Sequence, residues 1–340
     1  MIDLRSYTMN TPSYAKMNTP VTQKRSRCGG SLDFGRPGRM HFFLVIACAG
    51  WVLSAAAHES VAPAVRAALS QALTLHASFD AGPDADLARG DRTLYTYATS
   101  QQRAEGGVPG LPDSTVKITR GSGRFNDALL FTKKSNIRPF FKDGGNIGYN
   151  DNDWSYSVSV WLRISPDTDL EPGYCDPVQF VGNDSDKGFI FLEWDKESSP
   201  RYFRYAIRPL LEIWDPGKVG WASLPFEKRP MVQVDRAPFS HARWTHVVFT
   251  AQHINAKTAR QSGRLYLDGQ LQGVIENWDL TLGWAPDAAL LVLGAAYVGH
   301  LDDLAVFDRS LSGEEVKALF NLPNGMRDLH ATAMRAPRKR

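Results

Sequence analysis

The 340 residues are 43% hydrophobic and 22% charged, which is typical of a globular protein and excludes a disordered, collagen-like or coiled-coil chain. Basic residues are concentrated near both ends, and the body between them, residues 58–323, has 27 basic and 33 acidic residues, a net charge of −6. Nucleic-acid binding by this body is not expected, because a phosphate-binding surface needs clustered positive charge.

The N-terminal region predicts export. Residues 1–39 are polar, either an extension or a start codon placed too early, and residues 40–57 contain an apolar run that ends in three alanines. A basic flank, a short apolar core and a small-residue exit indicate a signal peptide cut after Ala57, and hence a protein that is secreted, periplasmic or on the cell surface. The alternative is an uncleaved membrane anchor, although the run is short for a bilayer. Cleavage leaves Cys175 as the one cysteine, so no internal disulfide is expected.

The segments that follow are typical of strands. Residues 58–73 are rich in Ala and Leu and predict a short helical lead-in. From residue 74 onward, short aromatic and β-branched runs are separated by turn residues, and Asp268-Gly269 predicts a tight hairpin. The pattern predicts one all-β domain over 74–323, a two-sheet antiparallel β-sandwich (jelly roll) with a short C-terminal helix. Residues 324–340 are expected to form a basic disordered tail.

Three segments resemble one known family. They are SYSVSVWLRI (155–164), RWTHVVFTAQ (243–252) with GRLYLDGQLQG (263–273), and GHLDDLAVFDRSLSGEEVKALF (299–320). The chain thereby resembles, over roughly 74–322, the laminin-G-like (LamG-like) jelly-roll domains of the concanavalin A-like lectin/glucanase superfamily. In the last segment, Ser312 and Glu315 have the capping-box spacing that begins a helix.

The resemblance implies a structural Ca²⁺ ion near the meeting of the first and last strands. Asp80 and Asp302 or Asp303 are the ligands that it implies. Ca²⁺ prefers about six to eight hard oxygen ligands, which paired carboxylates and loop carbonyls supply. The alternative is that Asp80 starts a turn and Asp302 accepts hydrogen bonds from a neighbouring loop.

Tryptophans in predicted loops favour sugar binding. Lectins stack the apolar face of a sugar ring on Trp or Tyr and hold its hydroxyls with polar side chains. Five tryptophans lie in or beside predicted loops and are candidate ligand-binding residues: Trp194, Trp214, Trp221, Trp278 and Trp284. Packing in the core is the alternative for each of them.

One segment has the spacing of a glycosidase motif. Some members of the resembled superfamily are laminarinase-like glycoside hydrolases with E-x-D-x-E on a strand, and Glu193, Asp195 and Glu197 match that spacing on one face. In those enzymes the intervening residues are apolar and face the core, whereas Lys196 would bury an unpaired ammonium there. The segment therefore predicts a strand that runs into a turn, without catalysis.

These observations predict an exported, non-catalytic recognition module whose partner is a polysaccharide or a glycoprotein. Two alternatives remain open. One is a protein–protein adhesion or envelope-structural domain, and the other is a laminarinase-like glycoside hydrolase. Contact with a membrane is expected only if the N-terminal apolar segment stays attached.

Overall fold

The computed structural model describes residues 61–196 and 198–333. The predictions for residues 1–39 and for the signal peptide at 40–57 lie outside the described residues. The helices in the described part are short: α1 (Pro63–Ala72), α2 (Ser100–Ala104), α3 (Pro166–Asp169), α4 (Leu211–Trp214), α5 (Gly313–Phe320) and α6 (Arg327–Ala333). None of the described helices is long and apolar enough to cross a membrane.

The described strands pair antiparallel throughout and form two sheets, which confirms the predicted β-sandwich. The strands are β1 (Leu73–Ala77), β2 (Leu87–Ala88), β3 (Tyr95–Tyr97), β4 (Val108–Pro109), β5 (Val116–Thr119), β6 (Ala128–Phe131), β7 (Arg138–Lys142), β8 (Trp154–Arg163), β9 (Asp176–Val181), β10 (Phe189–Trp194), β11 (Phe203–Arg208), β12 (Met231–Val234), β13 (Thr245–Ile254), β14 (Ser262–Leu267), β15 (Gln270–Glu276), β16 (Leu290–Ala295) and β17 (Gly299–Phe307).

The first sheet has the order β15-β14-β13-β8-β17-β1-β2, and β6 pairs with both β17 and β5. Side chains alternate along β8, and Tyr156, Val158, Val160 and Leu162 all lie in the core between the sheets. The predicted hairpin is confirmed as well. Asp268 and Gly269 join β14 to β15 with φ angles of 48° and 76°, as a tight two-residue turn requires.

The second sheet has the order β12-β11-β10-β9-β16-β7-β3-β4. Alternate residues of β10, namely Ile190, Leu192 and Trp194, lie in the core. Side chains alternate along a strand, so the residues between them, such as Phe191 and Glu193, lie on the outer face of this sheet.

Helices cover the outer face of the first sheet. α1, α5 and α6 pack there in a second apolar cluster made of Leu69, Ala72, Leu73, Val248, Tyr266, Ala305, Phe307, Leu311, Val316, Leu319, Leu322, Met326 and Leu329. The predicted capping box begins α5: Ser312 Oγ accepts from Glu315 N at 3.2 Å, and Ser312 N donates to the Glu315 carboxylate at 2.9 Å. The outer face of the second sheet is covered at one end by the short helix α4, whose Trp214 lies over Arg208 of β11.

Residues 324–333 differ from the expected disordered tail. They include α6, in which Leu329 is fully buried and His330 lies 2.8 Å from the buried ring of His76. The prediction of disorder relied on the basic composition of the tail. It was wrong for this part because Met326 and Leu329 complete the apolar cluster on the first sheet. The remaining tail residues, 334–340, lie outside the described residues.

The buried His246 predicts a fold that is sensitive to acid. Its Nε2 lies 2.8 Å from Ser159 Oγ, and burial, with a smaller effect of the Arg124 charge, lowers the pKa of His246 from 6.5 to about 3. The unfolded chain binds this proton more tightly than the folded chain, so the free energy of unfolding falls as the pH drops from about 6.5 towards 3. The unmodified chain should lose stability when the pH falls from 7 to 4.5. We expect this loss to be smaller by about 2–3 kcal/mol in His246→Gln, measured by urea denaturation at both pH values.

The surface residue His253 provides the control. His253→Gln changes a side chain that is 42% exposed, so its stability loss on acidification should match that of the unmodified chain. An unchanged loss in His246→Gln would show that this histidine does not govern the acid response.

Candidate functional site

The five tryptophans selected from the sequence do not share one face. Trp194, Trp214 and Trp284 are buried, and Trp221 and Trp278 are half-buried. Among them only Trp214 and Trp221 are in ring contact, with centroids 5.6 Å apart. The five tryptophans therefore do not form a single stacking platform.

Trp194 and Trp284 are core residues. The ring of Trp194 stacks on Tyr297 with centroids 5.8 Å apart, and Trp284 packs 6.0 Å from Trp154. Trp284 Nε1 also donates a hydrogen bond to the carbonyl of Gly188 at 2.9 Å. Burying a large aromatic ring lowers the free energy of the folded state, so a tryptophan in a loop can fill the end of the sandwich. A predicted loop position therefore did not predict that the tryptophan side chain is accessible.

Trp214 and Trp221 belong to a segment that covers one end of the outer face of the second sheet. Trp221 packs on Phe191 of β10 at 5.8 Å. Arg208, at the end of β11, lies with its guanidinium carbon 4.2 Å from the Trp214 ring centre and 5.6 Å from the Trp221 ring centre. Phe189 contributes a third ring around the same guanidinium at 5.5 Å. The arginine is thus held by rings, and burial lowers its pKa.

The glycosidase-like segment places two of its three carboxylates on this same face. Glu193 Oε1 lies 3.2 Å from Arg204 Nη1, and Asp195 Oδ2 lies 3.6 Å from Arg204 Nη2. Asp195 also accepts from the backbone N–H of Tyr202 at 3.0 Å, as expected for a strand that ends in a turn. Both carboxylates are 4% exposed. Glu197 lies outside the described residues.

A third carboxylate, Asp176, joins this group through strand pairing. The bridge between Cys175 and Trp194 sets β9 beside the end of β10 and brings Asp176 next to Glu193. Burial raises the pKa of Asp176 to about 7, and burial together with the Asp176 charge raises the pKa of Glu193 to about 8. Arg204 and Arg138 act in the opposite direction on Glu193 and Asp176, respectively. Both carboxyl groups therefore hold a proton more tightly than an ordinary Asp or Glu side chain does.

Tyrosines form the other end of the face. Tyr95 and Tyr97 of β3 are half-buried and lie over Phe140 of β7, with ring centroids 5.7 and 5.5 Å away. Lys142 Nζ lies 3.6 Å from the Tyr95 ring centre, and the Arg103 guanidinium lies 6.0 Å from the Tyr97 ring centre. The outer face of the second sheet thus has half-buried aromatic rings at the β3 end, Arg138 and Lys142 on the neighbouring β7, and an aromatic cluster around Arg208 at the β11–β12 end.

The carboxylates expected to bind Ca²⁺ have protein partners. Asp80 Oδ1 accepts from the backbone N–H of Asp127 at 2.8 Å, and its other oxygen pairs with Arg327. Asp302 Oδ2 accepts from the N–H groups of Arg124 and Phe125 at 2.6 and 3.0 Å. Burial and the charge of neighbouring Asp303 raise the pKa of Asp302 to about 7.

The Asp303 carboxylate also has protein hydrogen-bond partners. Its Oδ1 lies 2.7 Å from His76 Nε2, and the backbone N–H of Met326 donates to Oδ2 at 3.1 Å. No group of three or more metal-ligating side chains lies together in the described part of the chain. Donor groups and a guanidinium thus surround these carboxylates where an ion would need free oxygens, and the observed arrangement does not fit Ca²⁺.

Comparison with known proteins identifies the family. The model of the concanavalin A-like lectin/glucanases superfamily matches residues 143–317, about half of the chain. The chain belongs to this superfamily. The match confirms the resemblance of the strand motifs at 155–164, 243–273 and 299–317. No curated protein sequence matches the chain.

Two of the solved structures that are similar to this superfamily member have low sequence identity to it. Domain 4 of a GH43 extracellular arabinanase from Geobacillus stearothermophilus, in complex with arabinotriose, is 16% identical, with a TM-score of 0.42 over 72% of this chain and 96% of that domain. The binding domain of botulinum neurotoxin serotype D is 12% identical, with a TM-score of 0.48 over 75% of this chain, which spans 52% of the toxin domain. These scores are too low to transfer a ligand.

Buried Arg204 should be the residue of this face on which stability depends most. Arg204→Met leaves two buried carboxylates without their cation, and we expect a loss of about 3 kcal/mol in the free energy of unfolding by urea denaturation. The value is at the low end for a broken buried pair because Glu193 can take up a proton. Arg260→Met, which breaks an ion pair of an arginine that is 69% exposed, is the control and should cost less than about 1 kcal/mol. Equal losses in the two variants would contradict the buried network.

Calcium should not change the stability of this protein. Asp80, Asp302 and Asp303 are already paired with Arg327, backbone N–H groups and His76. We therefore expect the same thermal midpoint, Tm, in EDTA and in excess CaCl₂. A rise in Tm with CaCl₂ that Asp302→Asn abolishes would restore the calcium hypothesis, because an ion that binds only the folded state stabilises it.

Proposed function

We propose that this superfamily member is an exported, non-catalytic recognition module that binds carbohydrate on the outer face of the second sheet. The observation that carries the proposal is the half-buried aromatic pair, Tyr95 and Tyr97, beside Arg138, which pairs with Tyr97 across β3 and β7. Sugars are recognised by this combination, since rings take the apolar face of the pyranose and side-chain amides and guanidinium groups take its hydroxyls.

The second sheet is favoured over the first because the helix that covers part of its outer face, α4, is shorter than α1, α5 and α6. α1, α5 and α6 bury the outer face of the first sheet in an apolar cluster. On the second sheet, a smaller apolar cluster outside the core contains Phe191, Ala206 and Met231. Phe140 and Val292, which lie between β9 and β3, are fully buried on the same face. Tyr95 and Tyr97, half-buried at the β3 end, are the rings that a ligand can contact.

Non-catalytic binding is favoured by the state of the carboxylates. A retaining or inverting glycosidase needs two carboxyl groups that flank an accessible glycosidic bond. Glu193 and Asp195 instead share Arg204 and are each 4% exposed. Their contacts are those of a structural ion-pair network under the face.

Export rests on the sequence alone. The apolar run within residues 40–57, its basic flank and its alanine-rich end are the support for a signal peptide. The location that we propose is the periplasm, the cell surface or the medium, where polysaccharides and glycoproteins are accessible.

A glycan array of neutral and charged oligosaccharides, probed with the full-length chain, tests the proposed function. Tyr95→Ala and Tyr97→Ala should each weaken binding of a positive glycan by at least about tenfold, because losing a stacking ring costs roughly 1–2 kcal/mol. Affinity is measured by isothermal titration calorimetry. Trp244→Ala is the matched control, a half-buried ring beside Arg163 on the first sheet, and it should leave affinity unchanged.

Three outcomes separate the hypotheses. Binding that depends on the two tyrosines supports the proposal. Binding lost only in Trp244→Ala would place the site on the first sheet and overturn it. No binding to any glycan would favour the adhesion alternative, and release of reducing ends from β-glucans that Glu193→Gln abolishes would favour the glycoside hydrolase.

A further inference from the structure

A surface cavity lies where the edge strands of the two sheets approach each other. β12 ends the second sheet, β15 ends the first, and the two strands pack against each other. Gly273 permits this approach, because a Cβ atom at that position would lie only 2.8 Å from a methyl carbon of Val232. This edge cavity has a volume of about 450 Å³ and is lined by Phe226, Gln233, Val234, Asp235 and Gln272. Its volume is within the range of small-molecule binding sites.

The edge cavity contains the most exposed aromatic residue of the described chain. Phe226 belongs to the single turn Phe226–Lys228 before β12 and is 51% exposed. Every other Phe, Tyr and Trp that the structure describes is buried or half-buried. A phenyl ring left in water forgoes the free energy of burial. Beside polar side chains, such a ring is the surface on which the apolar face of a sugar stacks.

The carboxylate of the edge cavity is positioned by the buried arginine network. Arg204 Nε donates to Gln233 Oε1 at 2.8 Å, and Gln233 Nε2 donates to Asp235 Oδ1 at 2.8 Å. Because arginine can only donate, the amide of Gln233 has one orientation, with its NH₂ group towards Asp235. The hydrogen bond uses one oxygen of Asp235 and leaves Oδ2 as an acceptor. A carboxylate held in this way loses less conformational entropy when a ligand binds than a free side chain does.

Gln272 supplies a second acceptor from the other sheet. Its Nε2 donates to the carbonyl of Gln270 at 3.0 Å, which leaves the amide oxygen Oε1 as the acceptor. Sugar hydroxyls can donate to both acceptors. Asp235 is the one charged residue among the five that line the cavity, so its charge repels an anionic ligand. The chemistry of the cavity therefore fits a neutral saccharide.

The edge cavity is separate from the tyrosines of the proposed function. Strand order places β12 and β3 six strand spacings apart in the second sheet, which is about 29 Å across the sheet. The covering segment with Trp214 and Trp221 lies over β10 and β11, between the two places. A trisaccharide is shorter than this separation and cannot contact both.

We propose that the edge cavity is a second saccharide site, in which a neutral sugar ring lies on Phe226 and its hydroxyls donate to Asp235 and Gln272. The inference rests on the proposed function in one respect, namely that the chain binds carbohydrate. Two sites on one chain let a single polysaccharide bind at both, and the second contact then raises affinity without any new interaction.

Neutral trisaccharides test the edge cavity without bridging the two sites. Cellotriose, laminaritriose, xylotriose and arabinotriose are titrated by calorimetry into the full-length chain and into the double variant Tyr95→Ala/Tyr97→Ala. We expect the double variant to keep one binding site per chain for at least one trisaccharide. In that background Phe226→Ala and Asp235→Asn should each weaken binding by at least about tenfold. Trigalacturonate should bind at least tenfold more weakly than the neutral ligand.

Two variants are the matched controls. Val219→Ala shortens an apolar residue that is 55% exposed and does not line the edge cavity. Asp151→Asn changes an exposed carboxylate that also accepts from a side-chain amide, that of Asn152 at 2.8 Å. Neither change should alter trisaccharide affinity, and circular dichroism checks that every variant is folded.

The outcomes separate this inference from the proposed function. Residual binding that Phe226→Ala and Asp235→Asn remove supports the edge cavity. Loss of all binding in the double tyrosine variant would overturn the inference and leave the proposed function standing. Binding that Phe226→Ala alone abolishes in the unmodified chain would support the inference and overturn the site on the tyrosines. Binding of trigalacturonate as tight as that of the neutral ligand would overturn the neutral class, and binding of no saccharide would overturn both proposals.

Discussion

β17 (Gly299–Phe307) is the strand on which the arrangement of the molecule depends. It pairs with β8, β1 and β6 and lies near the centre of the first sheet. Its Leu301, Leu304 and Val306 lie in the core between the sheets, while Ala305 and Phe307 lie under the helices. Because both faces of β17 are buried, the centre of the first sheet is closed to ligands. The register shift between Asp302 and Ala305 also sets two carboxylates side by side, where loop N–H groups and His76 satisfy them.

A gain in stability does not by itself explain the buried network of Arg204, Glu193 and Asp195. Burying charged groups costs desolvation energy, and apolar residues of similar volume often stabilise a protein as well or better. Moreover, this network lies on an outer face that is not needed for packing between the sheets. Its arrangement is explained if the face has to keep its arginines oriented and its carboxylates beneath them. The pKa values of Asp176 and Glu193, raised to about 7 and 8, reduce the negative charge under the face near neutral pH.

Local patterns predicted the elements, and long-range register decided the site. The Asp268-Gly269 turn and the capping box at Ser312 each involve neighbours in sequence, and each was confirmed. The candidate site was harder to predict, because Asp176 and Glu193 are brought together by the pairing of β9 with β10. The prediction that the loop tryptophans are accessible was wrong for a related reason. A loop that caps the end of a sandwich can be buried as fully as a strand. The signal visible in the sequence was β10, where Glu193 interrupts an otherwise apolar and aromatic strand.

Net charge and local charge lead to different conclusions here. An acidic body argues against a phosphate-binding protein, yet a ligand responds to the field of the face that it approaches. On the outer face of the second sheet, burial removes Asp176 and Glu193 from contact with a ligand. Half-buried Asp91 accepts a hydrogen bond from the Tyr95 hydroxyl near Lys142, and the Arg208 guanidinium is enclosed by rings. Burial thus decides which charges of this face a ligand meets, which composition cannot reveal.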